Sequence, residues 1–138
     1  MNDTAVSAET FNIGEAAARS GVSAKMVRHY ESLGLLPKVA RTDSNYRQYS
    51  EREVHTLRFI RRARDLGFSM AEIAELLKLY QNRRRASGDV KRIALAHVAD
   101  LERRMNEMGE MKRTLEHLAH CCHGDSRPDC PILEELAH

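Results

Sequence analysis

Apolar positions along the chain fall into blocks of helical period, separated by short runs of turn formers. Ile13 to Ser20 reads as a first helix, ended by Gly21. Ser23 is placed to cap a second helix that runs to about Leu33, with Met26, Tyr30 and Leu33 on one face. Gly34 stops that helix and Pro37 keeps it stopped. The stretch 38–49 changes character. There Val39, Tyr46 and Tyr49 flank Thr42-Asp43-Ser44-Asn45, a run of turn formers that predicts a small hairpin, or wing. Ser50-Glu51-Arg52-Glu53 has the capping-box pattern, in which serine and glutamate satisfy each other's orphan amides. It opens a helix carrying Val54, Leu57 and Ile60 and ended by Gly67. Ser69-Met70-Ala71-Glu72 repeats the device before Ile73, Leu76, Leu77 and Tyr80. Gln81 to Ala86, with Arg83-Arg84-Arg85 inside it, reads as a polar connector.

From Ser87 to His120 there is no proline, and the only glycines are Gly88 and Gly109. Val90, Ala94, Val98, Leu101, Met105, Met108, Met111, Leu115 and Leu118 recur at steps of three and four, close to a heptad seam. As one helix the stretch would span roughly 50 Å at 1.5 Å per residue. So narrow a stripe on so long a rod is not buried by the rest of a small chain, whereas a second copy can bury it. Homodimerisation follows from the pattern. The methionines are read as adaptable seam rather than thioether metal ligands.

Composition adds that 30% of residues are charged and only 5% aromatic, so helices with long solvated faces are expected rather than one large core. No apolar run approaches the ~18 residues of a membrane span. Met1 to Phe11 lacks a basic region and an apolar run, and is expected to be a short disordered tail rather than a secretory signal. The small net charge of +2 conceals an asymmetry. Between Asn12 and Leu66 there are eleven Lys/Arg against six Asp/Glu, while the remainder holds eleven against fourteen. A basic half joined to an acidic half suits a nucleic-acid reader with a separate assembly or sensing region, although chance scatter would give the same average.

The first two helices, joined by a tight turn, have the layout of a helix-turn-helix, whose second helix enters the major groove. On that helix Lys25, Arg28 and His29 form a basic face opposite the apolar one. Arg41 and Arg47 sit on the wing with Tyr46 and Tyr49 beside them, suited to phosphate and sugar contacts. At the other end Cys121, Cys122 and Cys130 lie within ten residues of one another. An odd, clustered set argues for metal or redox chemistry rather than a disulfide framework. Seven residues, Gly124 and Pro128 among them, separate Cys122 from Cys130, so the loop can fold back and face two sulfurs together. Pro131 suits the first position of a short terminal helix, Ile132 to about Leu136, with Cys130 at its N-terminus. Two soft thiolates without an obligatory third ligand suit a monovalent d¹⁰ ion in linear coordination, whereas Zn²⁺ asks for four ligands. Cys121 and His123 are candidate accessory ligands, or else a bystander thiol and a solvated loop histidine. His97, His117 and His120 read as decoration of the long helix. No nucleophile–base pair, carboxylate pair or phosphate-cradling glycine loop is apparent, so an enzyme is not expected.

Ile13-Gly14-Glu15-Ala16-Ala17, Arg28-His29-Tyr30-Glu31, Gly34-Leu35, Arg41, Tyr46-Arg47-Gln48-Tyr49 and Arg64-Asp65-Leu66-Gly67-Phe68 together resemble the MerR family of transcription regulators. The resemblance runs from about Asn12 to Leu77 and, through the long helix and cysteine loop, nearly to the C-terminus. It implies a mainly α chain: a winged helix-turn-helix over 12–80, a connector and antiparallel coiled-coil dimerisation helix over 81–120, and a metal-binding loop with a terminal helix over 121–138. By the same resemblance Lys25, Arg28, Tyr30, Arg41, Tyr46 and Arg47 occupy DNA-contacting positions. Asn45 stands where relatives commonly carry the wing glycine, and asparagine tolerates that backbone.

The Cys122–Cys130 spacing and Asp129-Cys130-Pro131-Ile132-Leu133 resemble the copper-responsive CueR/HmrR branch. Ser87 matches a serine of that branch, where relatives sensing divalent ions carry a cysteine. The resemblance thus implies a cytoplasmic homodimer that binds promoter DNA, responds to Cu(I), with Ag(I) or Au(I) as alternative inducers, and activates copper efflux genes. It would do so by distorting the promoter for RNA polymerase. Two rivals stand beside it: a regulator of the same kind sensing Zn²⁺ or another divalent ion through Cys121, Cys122, His123 and Cys130, and a metal chaperone or storage protein.

Overall fold

The computed structural model describes residues 9–36 and 46–138. Among the described residues the elements in chain order are β1 (Thr10–Phe11), α1 (Ile13–Ser20), α2 (Ala24–Ser32), β2 (Tyr49–Ser50), α3 (Glu51–Asp65), α4 (Met70–Gln81), α5 (Ser87–Cys121) and α6 (Pro131–Ala137). The chain divides into two compact units between Ser87 and Gly88, so the connector 82–86 goes with the first unit.

Local chemistry sets the helix starts of the first unit. Asn12 and Glu15, Ser50 and Glu53, and Ser69 and Glu72 each form a reciprocal capping box. Ser23 caps α2 through the amide of Met26. In each case a side-chain oxygen takes an amide that has no partner within the helix. Gly21 ends α1 at φ +76°, a conformation that costs glycine little. A β-carbon there would meet only the movable end of the Arg61 side chain, so it is the left-handed backbone that disfavours larger residues in the turn between α1 and α2.

Ala16, Val27, Tyr30, Leu36, Tyr49, Val54, Leu57, Ile60, Ile73 and Leu77 bury together as the core of this unit. Phe11 joins them at 2% exposure. The end of the stretch expected to be a disordered tail is ordered instead: Thr10 and Phe11 pair antiparallel with Ser50 and Tyr49, and the Phe11 ring supplies the reason for ordering them. The inward face of α2 is also corrected. Val27 and Tyr30 are buried, Met26 is half-buried, and Leu33 is half-exposed. Leu33 caps α2 and turns away, while Gly34, at φ +77°, redirects the chain so that Leu36 enters the core instead. On α4, Tyr80 lies at the margin of the core, its ring 5.1 Å from that of Phe59 and its hydroxyl 2.9 Å from His55 Nε2.

In the second unit α5 is continuous for 35 residues. Leu95, Val98, Leu101, Met105, Met108, Met111 and Leu115 are all exposed along it. Pro131 occupies the first turn of α6, as its missing amide and fixed φ favour. Among the described residues no helix is long and apolar enough to cross a membrane.

Candidate nucleic-acid and metal sites

The presentation helix α2 buries one side and offers the other. Lys25, Arg28 and His29 are exposed, on the side away from Val27 and Tyr30. Tyr46 is exposed at 69%. Arg41 falls outside the described residues, with most of the expected wing. Tyr30 is placed differently from what a DNA-contacting role asks. It is only 3% exposed, and its hydroxyl accepts a 2.8 Å hydrogen bond from Arg64 Nη1. The buried ring anchors α2, and its hydroxyl positions an arginine of α3.

Arg47 and Tyr49 are drawn to α2 by a residue that sequence reasoning does not single out. Arg47 Nε donates to Glu31 Oε2 at 3.1 Å, and the Tyr49 hydroxyl donates to Glu31 Oε1 at 2.9 Å. Burial, together with the bond to the Glu31 carboxylate and its negative charge, pushes the Tyr49 phenol up to about 12. Glu31 thus ties the end of α2 to the segment 47–49 that leads into β2. Its partners lie 16 and 18 residues away, so no local spacing announces the pairing. Arg58 adds a further tie, donating from Nε to the carbonyl of Arg19 at the end of α1.

At the far end of the chain α5 runs through Cys121, and Cys122 is the first residue beyond it. Cys130 is the N-cap residue of α6. Gly124, at φ +65°, turns the loop between them, and Arg127 closes its middle by donating from backbone and side chain to Asp125. Those bonds hold the Asp125 carboxyl below its ordinary value. Cys122 and Cys130 are half-buried free thiols, whereas Cys121 is an exposed free thiol. Cys121 Sγ lies 3.8 Å from His117 Nε2, one turn back along α5. His123 is exposed. Among the described residues no group of three or more His, Cys, Asp or Glu side chains could hold one metal ion. Cys122 and Cys130 thus stand at the two ends of one loop, and a thiolate is a donor type that suits soft ions. Ser87 is the exposed first residue of α5.

The chain is similar to known transcription regulators along most of its length. Residues 11–79 match the model of the MerR HTH family regulatory proteins, and residues 54–118 match the model described as MerR, DNA binding. Heavy metal-dependent transcription regulator 2 of Rhizobium meliloti (strain 1021) is 61% identical over 127 residues, covering 92% of this chain and 86% of the relative. The HTH-type transcriptional regulator CueR of Salmonella typhimurium (strain LT2) is 38% identical, covering 91% of each. Among solved structures, the transcription regulator PbrR691 from Ralstonia metallidurans CH34 in complex with lead(II) superposes with a TM-score of 0.79. It is 35% identical, and the match covers 91% of this chain and 98% of that one.

Proposed function

The chain belongs to the MerR family, as a metal-responsive transcription regulator and not an enzyme, and from that premise we propose that its inducer is Cu(I), with Ag(I) and Au(I) as alternatives. The observation that carries this reading is the donor set: two half-buried thiols, Cys122 and Cys130, bracketing one short loop. Two thiolates around a singly charged d¹⁰ ion complete its preferred linear shell without further ligands.

The protein acts in the cytoplasm as a homodimer on double-stranded promoter DNA. Lys25 and Arg28 on α2, Arg41 and Arg47 of the wing, and Tyr46 make the contacts, while Tyr30 serves from within the core. Metal capture orders the 122–130 loop. That ordering shifts the balance between two dimer geometries, one of which distorts promoter DNA into a form that RNA polymerase uses to transcribe copper efflux genes. Such a shift requires the ion to bind the two geometries with different affinity.

Buffered Cu(I) titration of the reduced protein, with transcription from its own promoter measured in parallel, tests the reading. One ion per chain and metal-dependent transcription are expected, both lost in Cys122→Ser and in Cys130→Ser. Stronger competition by Zn²⁺ than by Cu(I) would overturn it. That outcome would favour a divalent sensor, a reading to which the likeness to a regulator solved with lead(II) gives weight. Ser87→Cys is expected to broaden the response toward divalent ions by adding a third soft ligand, supplied by the second copy of the proposed antiparallel dimer, since within one chain position 87 stands at the opposite end of α5 from the loop.

A further inference from the structure

We propose that Arg58, Arg61 and Arg62 of α3, with Arg19 at the end of α1, form a clamp for a backbone phosphate of the bound DNA, beside the start of α2. The inference rests on the reading of the chain as a promoter-DNA binder and adds a second anchoring point, outside α2 and the wing. Arg58, Arg61 and Arg62 stand at i, i+3 and i+4, a spacing that sets side chains on one helical face. All four arginines are exposed, and together they border a cavity of about 360 Å³ over the end of α1.

A row of arginines on one helix is ordinarily a solvated face, with carboxylates interspersed. Here the row meets an arginine of a second helix, and no acidic residue lines the cavity. Among the described residues the one carboxylate near the cluster is Glu51, 4.0 Å from Arg58 Nη1, with both side chains well exposed. Such a pair does little to offset several like charges. The guanidinium groups are also held in place. Arg58 Nε donates to the carbonyl of Arg19 at 3.0 Å, and the Arg19 guanidinium lies 4.0 Å from the centre of the Phe11 ring. Arg61 rests against Gly21, in space that a side chain at that position would enter. Fixed, converging cations without counter-charges are pre-organised for an anion, and planar guanidinium forks suit phosphate oxygens.

Position selects DNA as the source of that anion. The cavity reaches Gly21, two residues before Ser23, the N-cap of α2. Arg61 also borders the adjoining hollow formed with Ser23, Met26 and Tyr30 of the α2 segment and Arg64 of α3, so the basic surface runs on to α2 without a break. A helix that enters the major groove by its N-terminal end has groove-wall phosphates beside that end. A contact there carries no sequence information but fixes the register of α2 in the groove.

The test is equilibrium binding of the reduced full chain to a duplex of its own promoter, over a series of salt concentrations. Arg61→Ala is expected to bind about tenfold more weakly, with the slope of log affinity against log salt reduced by about one for each half-site. Arg62→Ala should act in the same direction. Arg61→Lys, which keeps the charge but not the fork, should recover part of the loss. Arg113→Ala, in the other unit, should leave the slope unchanged, and an equal effect there would reduce the cluster to general electrostatics. Duplexes carrying a single uncharged methylphosphonate, moved along the site, then locate the partner. One phosphate per half-site should matter to the wild type and not to Arg61→Ala. No such phosphate, or an unchanged slope, overturns the clamp. So does an Arg61→Ala protein that binds the duplex normally yet no longer activates transcription, which would assign the cluster to an acidic surface of RNA polymerase. A wild-type chain that ignores the duplex would sink the DNA-binding reading itself, and the two failures are thereby told apart.

Discussion

Glu31 places one carboxylate between two long-range donors, Arg47 on one oxygen and Tyr49 on the other, at 17% side-chain exposure. Replacing it with alanine leaves a buried phenol without its acceptor and releases Arg47 from the end of α2. Operator affinity in Glu31→Ala is expected to fall about tenfold, equivalent to about 1.4 kcal/mol, because the arginine would no longer be pre-positioned. Glu31→Gln keeps an acceptor and should fall less. Fluorescence anisotropy with operator DNA checks both, and an unchanged affinity in the alanine variant would remove Glu31 from the DNA-binding role. The same contact predicts a pH effect. The Tyr49 phenol titrates near 12 in the folded protein, against about 10 for an ordinary tyrosine, so the folded state holds its proton more tightly. The stabilisation is fully present below pH 10 and is lost as pH rises from there through 12. Denaturation midpoints should therefore decline across that interval, and Tyr49→Phe should remove this part of the decline.

At the scale of elements, starts are legible wherever the signal is local. Ser50 with Glu53 and Ser69 with Glu72 can be read three residues apart, and both form capping boxes. Ser69→Ala is expected to cost about 1 kcal/mol, seen as a lower denaturation midpoint with an unchanged slope. What the chain hides is nonlocal. A two-residue strand has no periodicity to read, so the pairing of Thr10–Phe11 with Tyr49–Ser50 and the burial of Phe11 leave no mark in the pattern. Counting Leu33 as part of the helical apolar stripe misassigns the inward face of α2, because Val27 fills that space and Leu33 is the cap. At the sites the same division holds. Cysteine clustering and the Pro131 start of α6 stand out in sequence, whereas the Glu31 link does not.

For the molecule as a whole, the decisive feature is an apolar stripe that the chain leaves uncovered. Val98, Leu101, Met105, Met108, Met111 and Leu115 are between 37% and 70% exposed along a helix of 35 residues. Contiguous exposed apolar surface of this kind marks an interaction face, and the near-heptad spacing matches a second copy of the same helix. Methionines at three- and four-residue steps add adaptable packing to such a seam. A charge placed in the middle of the stripe would have to be buried unpaired against the partner, a cost of several kcal/mol per ion. Met108→Glu is accordingly expected to shift the protein from dimer to monomer at micromolar concentration in sedimentation equilibrium. The wild-type protein should melt at a temperature that rises with concentration, as mass action requires of a dimer, and the variant should not. On the proposed dimer, specific operator binding depends on the same coupling. Two presentation helices must be held at the spacing of two half-sites, so Met108→Glu should lose the operator although its α2 and Glu31 contacts are untouched. A monomeric variant that still bound its operator with full affinity would show that one copy reads the site alone, and would sever DNA recognition from assembly through α5.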